Sequence, residues 1–376
     1  MQEQLVKLEK DLGIEWQEKK LADIFSIENT LSFNKDKLVE GVDFDYVTRT
    51  SQNQGVLKTT GFVNNENINE AGTWSLGLLQ MDFFYRDKPW YAGQFVRLVR
   101  PKFKFNRDVA LYFSTIMNKQ KKRLLSGLVR DVDEAFLNTK VNIPFKNNRI
   151  AFDYMEQFIA TLKAERVATL KAYLEVTGLD NYHLTEEEQE LLDNIDNLES
   201  KYGIEWKEFR LDGLFGRSSR GRRLKSFDRI NGALPFVTAG EANMGISAYI
   251  GNNVHTFPPN TITIDMFGSA KYRNYEYGAD DHVAVVHSNH LPELVVLYIT
   301  TAIHKSSHSG KFDYSRNFYA SDADELLIQL PISSSNLAID FMKTYISVVK
   351  KQVIKDVVLF TDQEIKLTDQ LSIHSH

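Results

Sequence analysis

The chain has 376 residues, 43% of them hydrophobic and 25% charged, with a formal net charge of -5 and no cysteine. That length exceeds one ordinary core, so two domains are expected, and the lack of cysteine excludes a disulfide framework and cysteine-ligated zinc while suiting a reducing compartment. The charge argues against a chain that is basic all over, although for a nucleic-acid partner the sign of one face matters more than the total.

In Met1–Trp16, Glu3, Lys7, Glu9, Lys10 and Asp11 interrupt the apolar residues. A signal peptide needs a continuous apolar stretch, and a membrane span about 18–20 apolar residues in a row. Neither pattern is found, so a cytoplasmic protein without membrane contact is expected.

Gly13-Ile14-Glu15-Trp16 returns as Gly203-Ile204-Glu205-Trp206, an offset of 190 residues. At the same offset Glu18, Leu21 and Phe25 match Glu208, Leu211 and Phe215, and Leu8-Glu9 matches Leu198-Glu199. Val47-Thr48 and Gly55-Val56 match Val237-Thr238 and Gly245-Ile246. Further on the offset is 187: Tyr85-Arg86 matches Tyr272-Arg273, Ile143-Pro144 matches Leu330-Pro331, and the five residues from Ala151 to Met155 match those from Ala338 to Met342. Order is kept throughout, so one domain is written twice, each copy followed by the same kind of tail.

Within the bodies, Phe44–Val47, Leu234–Val237, Thr261–Ile264 and Val283–Val286 read as short strands. Asp108–Arg123 and Leu294–His304 read as helices, and Trp206 is expected in a core. No proline falls between Pro144 and Pro235 or after Pro331, which leaves room for long helices. One is expected over Phe152–Leu174, stopped near Gly178. An acidic helix follows from Thr185 to about Ser200, with Thr185 and Glu188 spaced as a capping box. After Pro331, Ile339, Met342, Ile346, Val349, Val353, Val357 and Phe360 fall on one helical stripe. These helices either cap the domains or pack antiparallel as a spacer. The expected fold class is α+β: two mixed α/β domains in pseudo-repeat, at 1–145 and 203–332, with helical spacers at 146–202 and 333–376 forming long antiparallel coiled-coil helices.

Arg217, Arg220, Arg222, Arg223 and Lys225 lie in one loop with Ser and Gly between them, which suits phosphate contact because guanidinium forks match phosphate oxygens. Lys271, Tyr272 and Arg273, then Lys311, Tyr314, Arg316 and Asn317, mix cations with aromatics and an amide, which serves backbone and base-edge contact. In the first copy Arg86, Arg100, Lys102 and Lys104, followed by Arg107, Lys119, Lys121, Lys122 and Arg123, make a second basic region. Each of these also fits a solvated surface. Catalytic signatures are weak. There is no cofactor-binding Gly-rich turn and no Asn-Pro-Pro-aromatic motif; Pro258-Pro259-Asn260 has the letters in the wrong order. Glu205-Trp206-Lys207 and Glu364-Ile365-Lys366 fit a Glu-x-Lys nuclease element that is common by chance. His304 and His308 lack the Glu of a zinc-protease motif. No cofactor, no metal and no catalytic residue is expected.

The ordered set Gly203–Phe209, Leu234–Thr238, Ser309–Tyr314, Gln329–Pro331, Ile339–Met342 and Val353–Val358 resembles the specificity subunits of Type I restriction-modification systems and their Type IIB relatives. The resemblance spans the chain and is stronger in the second half. It implies two target-recognition domains, each reading half of a split double-stranded DNA site, with Thr238 of the Leu-Pro-Phe-Val-Thr motif among the contacts. It also implies paired helices as a ruler and catalysis in partner methyltransferase (modification) subunits and, optionally, restriction (nuclease) subunits; the quasi-repeated helices, with two similar docking surfaces, are expected to hold two methyltransferase subunits. The first copy departs from the pattern over Glu70–Val99, which is rich in aromatics and has no Ser-Gly-Lys segment. Two other classes stay open at this point. One is a stand-alone DNA nuclease or methyltransferase, against which the missing motifs count; the other is a tandem-repeat protein-binding adaptor, which the net charge favours.

Overall fold

Glycine stops the entry helix of each copy. In the computed structural model, which describes residues 2–127 and 131–373 with side chains to residue 366, α1 (Gln2–Leu12) ends at Gly13, φ 63. Its counterpart ends at Gly203, φ 59. That left-handed conformation is open to glycine and costly for residues with a Cβ. Two units divide the chain: Met1–Ala172 with Thr361–His376, and Tyr173–Phe360. Met1 and 128–130 of the first expected domain, and 374–376 of the last expected spacer, lie outside the described residues.

In the first unit, strands β1 (Glu15–Lys20), β2 (Phe25–Asn29), β3 (Phe44–Val47), β4 (Val56–Thr60), β5 (Thr73–Gly77), β6 (Asp82–Arg86), β7 (Trp90–Ala92), β8 (Val96–Pro101), β9 (Lys140–Lys146) and β10 (Arg149–Ile150) form three small sheets. Their orders are β1-β9-β10, β2-β8-β5-β6 and β4-β3-β7. Helices α2 (Arg107–Asn118), α3 (Lys121–Leu125) and α4 (Val132–Leu137) precede the long α5 (Phe152–Val176). The second unit has α6 (Glu186–Asp193), α7 (Leu198–Tyr202), β11 (Glu205–Arg210), α8 (Leu211–Phe215), β12 (Ser219–Arg220), β13 (Asn231–Val237), β14 (Ile246–Ile250), β15 (Thr256–Phe257), β16 (Thr261–Asp265), β17 (Ala270–Arg273), β18 (Tyr277–Ala279) and β19 (Val283–Val286). Then come α9 (Glu293–Ser307), α10 (Ala320–Glu325), β20 (Leu327–Ser333), β21 (Asn336–Leu337) and α11 (Ile339–Ile373), whose residues from Thr361 on belong to the first unit.

The second unit repeats these orders as β11-β20-β21, β12-β19-β16-β17 and β14-β13-β18, the last gaining β15 at its edge, and the register repeats as well. Trp16 lies opposite Pro144 and Trp206 opposite Pro331. Thr73 lies opposite Arg86 and Thr261 opposite Arg273. The parallel pair sets Val47 against Ala92 and Val237 against Ala279. The fold is thus a mixed helix-and-strand architecture in two copies. What differs is the filling. The first core is built on rings: Phe25 meets Trp74 at 5.4 Å and 83°, and Phe83 stacks on Phe136 at 5.3 Å. The second is mostly aliphatic, with Ile262, Ile264, Val286, Val295 and Ile299 buried. Cores tolerate such exchange when volume and patterning persist. The aromatic segment Glu70–Val99 therefore supplies interior strands, with Trp74 and Trp90 both fully buried.

Three expectations are corrected. Trp206 is 53% exposed, because it lies on the face of β11 opposite Phe209, which packs on the second core. The helix expected over Asp108–Arg123 breaks after Asn118, whose side chain turns to the sheet and bonds the Phe83 N–H and carbonyl, each at 2.9 Å. The acidic helix stops at Asp193, where the Asn194 amide donates to the Glu190 carbonyl at 2.7 Å, a local bond that competes with helix continuation.

The capping box at Thr185 forms as read, and it extends into a buried ion pair within the second unit. Glu188 accepts from the Thr185 N–H at 2.8 Å, from Ser347 Oγ at 2.5 Å and from Lys351 Nζ at 2.6 Å. Burial alone would raise the Glu188 carboxyl; the bonds from Lys351, Ser347 and Thr185 outweigh it and hold the group at about 2. This is below its ordinary value of 4.5, so the pair stabilises the fold above that pH and the contribution fades as pH falls from there to about 2. The shift corresponds to stability on the order of 3 kcal/mol. Glu188→Gln is expected to lower the urea midpoint at pH 7 and to flatten the acid limb over that window. An unchanged acid limb in the variant would show that Glu188 does not carry it.

Candidate nucleic-acid interface

The loop from Arg217 to Lys225 is pinned at its backbone and exposes its cationic side chains. Gly221 donates to Val283 and Arg222 to Ala279 through their N–H groups, at 3.1 and 2.8 Å. A Cβ on Gly221 would lie 2.1 Å from the Asp280 carbonyl oxygen, so only glycine fits. Arg217, Arg222, Arg223 and Lys225 project into solvent. Arg222 and Arg223 make no side-chain ion pair among the described residues. Arg220 is exposed but tied, with Nε on the Asp281 carbonyl at 2.7 Å and Nη2 on its carboxylate at 3.2 Å. Beside it Ser219 Oγ meets His287 Nε2 at 2.6 Å; burial lowers the His287 imidazole, which favours its neutral form.

The segment after α9 splits in its roles. Lys311 and Tyr314 are exposed, and the Tyr314 ring stands edge-on to Phe267 at 5.2 Å. Arg316 is held by Asp322, Nη2 to Oδ1 at 2.5 Å, and Asn317 is half-buried. Asp313 organises the turn by accepting from the Ser315 N–H at 2.7 Å and the Arg316 N–H at 3.0 Å. His304 Nδ1 accepts from the Ala270 N–H at 3.2 Å, a structural bond across to β17.

Of the other expected contacts, Lys271, Arg273 and Arg86 are buried, and Tyr272 and Thr238 are half-buried. Lys271 is 7% exposed, with its ammonium on Ser269 at 2.7 Å, Glu241 at 3.2 Å and Asp265 at 3.5 Å. Tyr272 packs on the second core and donates to Asn260 Oδ1 at 3.1 Å; burial pushes its hydroxyl up to about 12. Arg273 is 1% exposed and Arg86 3%. Arg273 donates to Thr263 Oγ1, the Met244 carbonyl and the Tyr275 hydroxyl at 2.9, 2.8 and 3.0 Å. Arg86 donates to Ser75 Oγ at 2.6 Å and the Gln54 carbonyl at 2.5 Å. Burial pulls the Arg86 guanidinium down to about 10, against a smaller opposing pull from Asp45. Both guanidiniums are thus engaged by acceptors inside the domain. Thr238 is half-buried, and its N–H closes a loop on the Gly245 carbonyl at 2.8 Å.

In the first copy most expected cations already have partners. Arg100 pairs with Glu28 at 3.0 Å and also with Glu70. Lys102 donates to the Ala22 carbonyl at 2.6 Å, Arg107 pairs with Asp87 at 3.3 Å, and Lys121 with Asp82 at 2.6 Å. Lys104 remains exposed. The structure instead brings forward residues the sequence reading missed. Lys35, Arg49, Thr50, Gln80 and Gln94 line an open cleft of about 510 Å³. Lys35 stands 190 residues before Lys225, so the repeat offset was the signal that could have found it.

The comparisons with known proteins agree with this duplicated arrangement. The family described as "Type I restriction modification DNA specificity domain" matches residues 13–172 and again 203–357. A curated relative, the Type II restriction enzyme BgcI specificity subunit S.BcgI from Heyndrickxia coagulans, is 24% identical over 277 residues, 72% of this chain and 75% of the relative. The S subunit of a Type-I restriction-modification system from M. genitalium superposes with a TM-score of 0.51 at 16% identity, covering 95% of this chain and 94% of that one, a likeness of fold. With the family matched once in each copy, over the same strands that carry the repeated register, the chain belongs to the Type I restriction-modification DNA specificity family.

Proposed function

We propose that this chain is the non-catalytic DNA sequence-recognition subunit of a restriction-modification methyltransferase complex, with 1–145 and 203–332 as target-recognition domains that each bind half of a split double-stranded site. The observation that carries this is one strand frame used twice with different exposed side chains. Two frames with different reading residues suit two different half-sites and a non-palindromic whole. In the second domain Arg217, Arg222, Arg223, Lys225 and Lys311 are among the exposed cations; in the first Lys35, Arg49, Lys104, Lys119, Lys122 and Arg123 are. The helices at 146–202 and 333–376 act as an antiparallel spacer and offer two similar surfaces to two methyltransferase subunits, with restriction subunits joining in nuclease-competent assemblies. Within the first unit Lys171 of α5 meets Asp362 of α11 at 2.8 Å, which supports pairing of these helices. No described helix is long and apolar enough to cross a membrane, and a cytoplasmic site of action suits a partner of genomic DNA.

Replacing Arg222 and Arg223 with Ala is expected to weaken binding to all duplexes and to reduce the magnitude of the salt slope by roughly one for each phosphate that is no longer neutralised. Gel shifts at two salt concentrations read this directly, and unchanged binding at low salt would remove the loop from the interface.

The spacer has its own test. Inserting four residues after Arg166 adds about 6 Å of helix beyond Lys163, which is bonded to Asp108 of the domain. Sequencing methylated bases in a host expressing the system is expected to show the gap between half-sites longer by about two base pairs. The same gap as in the wild type would mean that the helices only cap the domains.

A further inference from the structure

Between β3 and β4, and again between β13 and β14, the chain makes one unusual turn with different side chains on it. Asn53 and Gln54 take φ 46, ψ 43 and φ 52, ψ 33. Asn243 and Met244 take φ 48, ψ 41 and φ 55, ψ 26. Gly55 and Gly245 follow at φ 80 and φ 78. Asparagine tolerates the left-handed region, but glutamine and methionine have no local bond that offsets the Cβ clash.

The same three supports hold both turns. The Gln54 and Met244 carbonyls accept from the buried guanidiniums of Arg86 and Arg273. Thr48 and Thr238 donate their N–H to the Gly55 and Gly245 carbonyls, both at 2.8 Å. The Asn53 and Asn243 amides donate to Val56 and Ile246 carbonyls at 3.1 and 3.3 Å. Glycine would fit φ 52 or φ 55 with less strain. A strained residue kept on a backbone that three bonds over-determine points to a role for its side chain.

All four tip residues of each turn are exposed. In the first, Ser51 is taken up by Asp82 and Asn53 by its own turn, which leaves the side chains of Gln52 and Gln54. In the second, Glu241 is taken up by Lys271 and Asn243 by its turn, which leaves Ala242 and Met244. The free pair is two amides in one domain and two apolar groups in the other. Thr50, at the base of the first turn, borders the cleft that also holds Lys35 and Arg49.

From these observations we infer that the turns at 51–54 and 241–244 are preorganised base-reading probes, and that Gln52 with Gln54, and Ala242 with Met244, set the specificity of the two half-sites. The inference rests on the DNA-recognition reading and sharpens it. An amide pairs in bidentate fashion with the N6 and N7 positions of adenine, whereas methionine and alanine offer apolar contact to the thymine methyl group. The first turn therefore selects adenine and the second thymine. A probe held rigid before docking gives up little entropy when it binds, which is why a buried arginine is committed to each.

The test uses the full chain in complex with its methyltransferase partner, selecting bound sequences from a randomised DNA duplex library. Gln52→Ala with Gln54→Met gives the first turn the free side chains of the second. The expected result is that adenine preference in one half-site falls roughly ten- to hundredfold, with the other half-site and the salt slope unchanged. Gln54→Gly guards against a folding defect, since glycine suits that φ; it is expected to keep the melting temperature and relax the same position. Selected sites in both variants unchanged from those of the wild type, or equal weakening at both half-sites, would overturn the inference. Failure of the wild-type complex to enrich any sequence would instead overturn the recognition reading beneath it.

Discussion

A guanidinium in each domain interior, that of Arg86 and that of Arg273, must find acceptors without water, and that requirement organises much of what surrounds it. A buried cation left unpaired is far costlier than one that is fully hydrogen-bonded. The acceptors available are a hydroxyl on the neighbouring strand, Ser75 or Thr263, and a carbonyl on the turn that follows β3 or β13. Each arginine therefore ties a sheet to a turn that belongs to a different sheet. The turn is drawn into the left-handed region by this tie, and Gly55 or Gly245 completes it because a Cβ there would crowd the Thr48 or Thr238 carbonyl. One electrostatic constraint thus fixes the relation of two small sheets and the backbone of an exposed loop.

Around that constraint the two copies keep geometry and change chemistry. The hydroxyl of Thr73 receives the Trp90 indole N–H at 3.2 Å, and the hydroxyl of Thr261 meets the Tyr277 hydroxyl at 2.9 Å. An indole and a phenol serve one purpose, namely to satisfy a polar tip inside an apolar layer. Aromatic rings fill the first core and branched aliphatic chains the second, on the same strand order. A frame that tolerates this much replacement inside is equally free to vary at its surface, where recognition takes place.

The charge distribution follows the same logic. Acidic residues outnumber basic ones, yet many are engaged within the domains: Glu28 on Arg100, Asp82 on Lys121, Asp281 on Arg220, Asp322 on Arg316 and Glu188 on Lys351. Apart from the buried Glu188–Lys351 pair, exposed pairs of this kind add little to stability. Their effect on function is larger, because they decide which cations stay available to a polyanion. Arg222 and Arg223 have no such partner among the described residues, and Lys311 remains exposed. A negative total is compatible with a locally basic face for this reason.

Whatever depends on neighbours along the chain could be read from the residues directly. The duplication, the capping box at Thr185 and Glu188, the short strands and the clustered cations of the Arg217 loop all rest on patterns a few residues long or on simple repetition. The first domain's aromatic segment was legible as a departure but not as a core, since Trp74 and Trp90 become interior only when β5 and β7 find their sheets. Which charged residues face solvent is settled only in three dimensions. Arg86 and Arg222 are the same residue type in sequence, and their environments are set by groups 11 to 32 residues away in one case and by a glycine-pinned loop in the other. The strained turns were equally hidden, because Gln54 and Met244 carry no local preference for a left-handed backbone; only a distant buried arginine, reaching their carbonyls through the folded core, places them there.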